Sequence, residues 1–174
     1  GYPLDCTALI HKFGSERARA LFNISRTSVS GVEKLIQEGN IACDFMPQKH
    51  VTAAFRPGHR DWLRQEQESM AEISGISPRL LDADQMWDEL GTNAYWGGLA
   101  DPWSASLNPV RFAAGLQQMA LDAGVEFSWS TRVHAIQNEN RRPRIQTSRG
   151  DIVADQVVLA TNAFTPVLND WLGR

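Results

Sequence analysis

The spacing of apolar residues changes at Gly124, and that change constrains the fold more than any other feature of the chain. Before it, Phe112, Ala113, Leu116, Met119, Ala120 and Ala123 mostly recur three or four positions apart, the period of a helix with one buried face. Asn108 is a good N-cap, and Pro109 suits the first helical position, where a missing N–H costs nothing. After Gly124, Val125 and Phe127 alternate with polar neighbours, as do Val133 and Ile136 less regularly. Segments 144–147 and 152–154 flank Ser148-Arg149-Gly150-Asp151 and predict a hairpin. The run Val157-Val158-Leu159-Ala160 is apolar on both faces, the pattern of a buried parallel strand. Helix, strand, hairpin and buried strand in that order predict an α/β layer with an antiparallel appendage.

The upstream half opens on a second helical pattern, Ala18, Leu21, Phe22, Val29, Val32, Leu35 and Ile36. It predicts a helix from Ser15, whose hydroxyl can accept from first-turn N–H groups, to Gly39 as a left-handed exit. Gly31 lies inside it at a cost of roughly 1 kcal/mol against alanine, and marks a close contact or a bend. Two short extended segments, 41–45 and 50–55, follow on either side of Met46-Pro47, then helices over 60–73 and 82–90. Between Thr92 and Asn108 the chain gathers Tyr95, Trp96, Gly97, Gly98, Asp101, Pro102 and Trp103. Glycines beside aromatics predict strands or a bent loop that approaches something closely.

Several function classes drop out on composition. Seventeen Lys and Arg against 20 Asp and Glu give a net charge of −3 without a basic run, which excludes the footprint of a nucleic-acid binder. No apolar stretch approaches the ~20 residues that span a bilayer. Cys6 and Cys43 are too isolated for a disulfide framework, and His11, His50, His59 and His134 are scattered, with no metal-ligand spacing. Neither G-x-G-x-x-G nor G-x-x-x-x-G-K-[ST] occurs, so no phosphate-cradling loop is recognisable. The start, Gly1-Tyr2-Pro3-Leu4-Asp5, lacks the basic and apolar parts of a secretion signal, so a cytoplasmic location is expected. It also lacks Met, and the expectation is a piece of a longer protein.

The second half carries Tyr95-Trp96-Gly97-Gly98-Leu99-Ala100-Asp101-Pro102, then Leu107-Asn108-Pro109-Val110-Arg111-Phe112, Gly115-Leu116 and Ala123-Gly124-Val125. Ser130-Thr131-Arg132-Val133, Thr147-Ser148-Arg149-Gly150 and Ala154–Ala163 follow in the same order. With these segments the chain resembles the D-amino-acid-oxidase-like family of FAD-dependent oxidoreductases, which includes glycine oxidase and sarcosine oxidase. Glu33-Lys34-Leu35-Ile36 and Ile41-Ala42-Cys43-Asp44 are similar to its gamma-glutamylputrescine-oxidase-like branch.

The resemblance implies a mixed α/β fragment: part of a Rossmann-like FAD-binding domain plus part of an antiparallel-sheet substrate domain. It implies residues 1–44 as a helical segment adjoining the FAD domain, 45–108 in the substrate domain and 109–174 in the FAD domain. It places G-x-G-x-x-G upstream of Gly1 and further site residues downstream of Arg174. The Val133 backbone would hydrogen-bond the adenine of FAD, and Ala160, Thr161, Asn162 and Ala163 would pack near the dinucleotide. Two readings stand for each: Val133 is equally a plain sheet residue, and Thr161-Asn162 an ordinary strand-to-loop turn. Asn162 stands where many relatives have Gly, and Asn tolerates positive φ better than most residues. Asn108 replaces a His that many relatives place before Pro.

Tyr95, Trp96 and Trp103 line a substrate cavity on this reading, or form core on the other. The implied reaction is oxidation of a small amine or amino acid by hydride transfer to the flavin, giving an imine that water hydrolyses. The rivals are a non-catalytic binding or scaffold module of the same fold, and a family dehydrogenase acting on a hydroxy acid or polyol phosphate.

Overall fold

Helix α1, Cys6–Glu38, is two helical segments joined at a non-helical Gly14 (φ 77°, ψ 159°): the second begins at Ser15, where the spacing puts a helix start, and the first, from Cys6, is additional to it. Leu9 and Ala18 lie two and a half turns apart at 3.6 residues per turn, on opposite sides of any unbroken helix. The glycine break changes the phase, and both side chains enter one core cluster with Cys6, Leu63, Met70, Ile73 and Leu99. The computed structural model describes residues 4–139 and 142–165, a mixed α/β chain in two units, Gly1–Gly124 and Val125–Arg174.

The start of α1 is capped by Asp5, not by Ser15. Asp5 Oδ1 accepts from Ala8 N at 2.7 Å. Glu66 of α2 (His59–Ser74) takes the two N–H groups before it: Oε1 accepts from Cys6 N at 2.7 Å and Oε2 from Thr7 N at 2.9 Å. A helix start leaves its first N–H groups without intrahelical partners, so these acceptors remove a desolvation cost. Trp62 and Ser69 flank Glu66 on the same face of α2 and bond Asp5 Oδ2 (3.2 Å) and Thr7 Oγ1 (2.9 Å).

Three strands form the sheet of the first unit: β1 (Met46–Ala53), β2 (Arg79–Leu81) and β3 (Gly98–Ser106), antiparallel in the order β1-β3-β2. Both sheet faces are covered at residues 98–100. Leu99 packs toward α1 and α2, while Ala100 packs with Leu81 and with Met86 of α3 (Ala83–Leu90). Met46 and Pro47 are the first residues of β1, not a break between two extended segments. An edge strand tolerates a proline, because its outer N–H positions have no ladder partner. Residues 41–45 are not a strand; they form a connector whose Cys43 carbonyl accepts from Asn108 N at 2.7 Å.

Helix α4 (Pro109–Asp122) follows its expected signals: Asn108 Oδ1 accepts from Val110 N (3.1 Å) and Arg111 N (3.2 Å). Its Phe112, Leu116 and Met119 pack on Ile36, Ile41 and Cys43. Gly39 keeps right-handed φ/ψ (−86°, −1°), and the left-handed residue is its neighbour Asn40 (φ 46°). Gly39 is small for a different reason: a Cβ there would collide with Met119 Sδ. Gly31 marks neither a contact nor a bend, since a Cβ there meets nothing within 4 Å and its φ/ψ stay helical.

The second unit holds the antiparallel meander β4 (Val133–Glu139), β5 (Arg142–Thr147), β6 (Gly150–Val153), with the expected turn at 148–149. Two expectations fail here. Residues 125–132 form no strand, so the alternation at Val125 and Phe127 does not mark one. Residues 157–160 form neither a strand nor a buried segment, and Val158 is 88 % exposed. A run apolar on both faces becomes a buried strand only between paired strands and covering helices, and no described strand lies beside this one. No helix among the described residues is long and apolar enough to cross a membrane.

Candidate functional site

The sequence-predicted cofactor residues all fall in the second unit, on two local structures. The first is the entry to β4. Ser148 grips it from the β5–β6 turn, its hydroxyl accepting from Arg132 N at 3.0 Å and its N–H donating to Arg132 O at 2.8 Å. Thr131 Oγ1 lies 2.7 Å from Ser128 Oγ. Val133, half-buried, therefore starts β4 opposite Thr147 from a pinned backbone, and the register slips between it and Ala135.

The second is the turn after the exposed stretch Asp155–Ala160. Asn162 has φ 47°, in the left-handed region that the sequence comparison with glycine anticipates. The turn closes on itself: Phe164 N donates to Thr161 O (2.9 Å), Thr165 Oγ1 donates to Asn162 O (2.8 Å) and lies 2.8 Å from Thr161 Oγ1. Ala160 is exposed, Thr161 half-buried, and Ala163 sits inside the 3-10 turn Asn162–Phe164. A tight turn that opens on small residues at the end of an exposed stretch leaves main-chain groups accessible to a ligand. Among the described residues the main chain of 155–160 has no backbone partner. These features fit one flank of a dinucleotide, while the chain supplies no glycine-rich loop for the phosphates.

Tyr95 and Trp96 belong to the first unit. Tyr95 is half-buried against Leu81, Met86 and Ala100. The Trp96 ring is largely exposed, and its main-chain N–H donates to Ala54 O at 2.7 Å. Trp103 packs edge-to-face on Phe22, with ring centroids 5.6 Å apart, and carries the Arg26 guanidinium 4.6 Å above its ring. Among the described residues no group of His, Cys, Asp and Glu is arranged to hold a metal.

Two buried polar features escape sequence reasoning. Glu66 sits in a helix rich in charges, and its partners lie 59 and 60 positions away, so no local spacing reveals it. The Cys6 thiol lies beside it, and burial, reinforced by the Glu66 charge, pushes its pKa far above the ordinary thiol range. A thiol held neutral in this way is a structural group, not a nucleophile.

The chain is 27% identical over 168 residues to a probable oxidoreductase OrdL of Haemophilus influenzae, covering 97% of this chain and 39% of that one. It is 23% identical over 165 residues to the gamma-glutamylputrescine oxidoreductase of Escherichia coli, covering 94% of this chain and 38% of that one. The fold matches glycine oxidase from Geobacillus kaustophilus with a TM-score of 0.73 at 21% identity, over 89% of this chain and 40% of that one. The chain thus spans about two fifths of the length of these relatives. The family model described as FAD dependent oxidoreductase, or DAO, matches residues 5–173, and this chain belongs to that family.

Proposed function

We propose that the protein containing this chain oxidises a small amine or amino acid with FAD as its redox group. The observation that carries the reading is the Asn162 turn, left-handed where a glycine-like backbone is wanted, at the end of an exposed stretch whose main chain has no backbone partner among the described residues. The chemistry that a bound flavin supplies is two-electron oxidation of the carbon bearing nitrogen, whose imine product then meets water.

On this reading the Val133 main chain hydrogen-bonds the adenine. Ala160, Thr161, Asn162 and Ala163 let the backbone lie against the dinucleotide. Tyr95 and Trp96 line the substrate cavity. Residues 1–44 adjoin the FAD domain, 45–108 contribute to the substrate domain and 109–174 to the FAD domain. The amine class is favoured by the relatives, one a gamma-glutamylputrescine oxidoreductase and several D-amino acid dehydrogenases. The protein works on small molecules, not nucleic acid, and in the cytoplasm.

The test is anaerobic bleaching of the flavin in the intact protein by a panel of amines, amino acids, 2-hydroxy acids and polyol phosphates. Bleaching by members of the first two groups is expected. Bleaching by hydroxy compounds alone, or by none of the panel, would overturn the proposal.

A further inference from the structure

Between the middle of α1 and the far end of the β1–β3 pair lies a cleft of about 150 Å³. An apolar cavity of about that size takes a benzene-sized molecule. This cleft is not purely apolar. Arg26 and Glu33, both half-buried, project into it from one side of α1, with Ser30 between them; Phe45, Trp103 and Ser104 form the opposite wall. Phe22 fixes the Trp103 ring edge-to-face, and the Arg26 guanidinium lies over that ring at 4.6 Å.

Stacking orients Arg26 but leaves its N–H donors unused, because a cation–π contact engages no donor–acceptor pair. Among the described residues neither Arg26 nor Glu33 forms an ion pair or a hydrogen bond through its side chain. Two opposite charges without partners, both partly withdrawn from water, share one aromatic-walled cleft. They stand seven positions apart, about 10 Å along the helix at 1.5 Å per residue, too far to neutralise each other as an i, i+4 pair does.

We propose that this cleft binds a short zwitterion of the ω-amino acid class. Its carboxylate meets the Arg26 guanidinium, its ammonium meets Glu33, and its methylene chain lies on Trp103 and Phe45. A molecule with one charge leaves the other residue unpaired, so the cleft selects for both charges and for the distance between them. The proposal does not rest on the flavin chemistry.

Calorimetric titration of the intact protein tests it, with 5-aminopentanoate as probe and pentanoate and pentylamine as one-charge controls. The zwitterion is expected to bind at least about tenfold more tightly than either control, since each lost charge-assisted contact is worth about that factor. Glu33→Gln is expected to weaken 5-aminopentanoate by a similar factor while leaving pentanoate unchanged. Arg26→Gln does the reverse, weakening pentanoate and leaving pentylamine. If removing Arg26 disturbs the Trp103 stack and the fold, Glu33→Gln carries the test alone. Equal affinity for all three probes, no binding of 5-aminopentanoate, or a titration unaltered by Glu33→Gln would overturn the proposal.

Discussion

Gly31 and Gly115 both sit inside helices, yet replacing each with alanine should change stability in opposite directions. In a helix interior alanine is favoured over glycine by about 1 kcal/mol, because it loses less backbone entropy on folding. At Gly31 nothing stands within 4 Å of the new Cβ, so a gain of roughly 0.5–1 kcal/mol survives. At Gly115 the new Cβ collides with the Ile41 side chain, lying 2.8 Å from Cγ1 and 3.0 Å from Cβ. Ile41 cannot step aside easily. It is buried against Ile36 and Cys43, and its β-branch leaves few χ1 choices. Overpacking of this kind costs about 1–3 kcal/mol, which exceeds the helix gain and leaves a net loss of roughly 1 kcal/mol. Urea unfolding of the intact protein reads both changes as shifts of midpoint at constant slope. In an Ile41→Ala background the Gly115→Ala penalty should disappear, because the colliding branches are gone. If Gly115→Ala stabilises as much as Gly31→Ala, the packing of α4 on Ile41 of the 41–45 connector is wrong.

Three further outcomes follow from the geometry. Glu66→Leu should cost about 2–4 kcal/mol in denaturant unfolding, because it leaves the Cys6 and Thr7 N–H groups without acceptors; a change below about 0.5 kcal/mol would refute the capping role. Both cysteines are buried and Cys6 is held neutral, so a thiol reagent at mildly alkaline pH should label neither until the protein unfolds; rapid labelling of native protein contradicts this. Glu89 bridges Lys49 of β1 and Arg79 of β2, and the Lys49 hydrogen bond holds its carboxyl below the usual range. A lowered native pKa gives stability that is present above the ordinary carboxylate pKa and fades as pH falls through the lowered one. Melting curves of the protein and of Glu89→Gln should therefore differ near neutrality and converge in acid; a gap that persists or widens in acid would remove the bridge from the account.

Elements whose signals are local were legible in the sequence. The Asn108-Pro109 start of α4 and the β5–β6 hairpin depend on residues next to one another, and both stand where the spacing puts them, although the turn is only 148–149 and Gly150 and Asp151 already belong to β6. The positive φ at Asn162 was legible through the resemblance, in which many relatives carry Gly at that position, a residue that Asn can replace there. Whatever depends on distant partners was not. The helix before Gly14 is out of phase with the helix after it, so one periodic pattern cannot cover both. Gly39 looked like a helix exit because its actual reason, the sulfur of Met119, lies 80 positions away. Val157–Ala160 has the composition of a buried strand, but burial belongs to the neighbours and not to the run itself.

The central claim is that the 160–163 turn and the Val133 entry to β4 belong to a flavin dinucleotide site. Its most direct measurement is the visible absorption of the intact protein after incubation with FAD and removal of free flavin by gel filtration. The account predicts flavin absorption in the blue that travels with the protein, is retained by Asn162→Gly and is weakened by Asn162→Val, a residue that strains at positive φ. A colourless protein, or bound flavin indifferent to both substitutions, would contradict it.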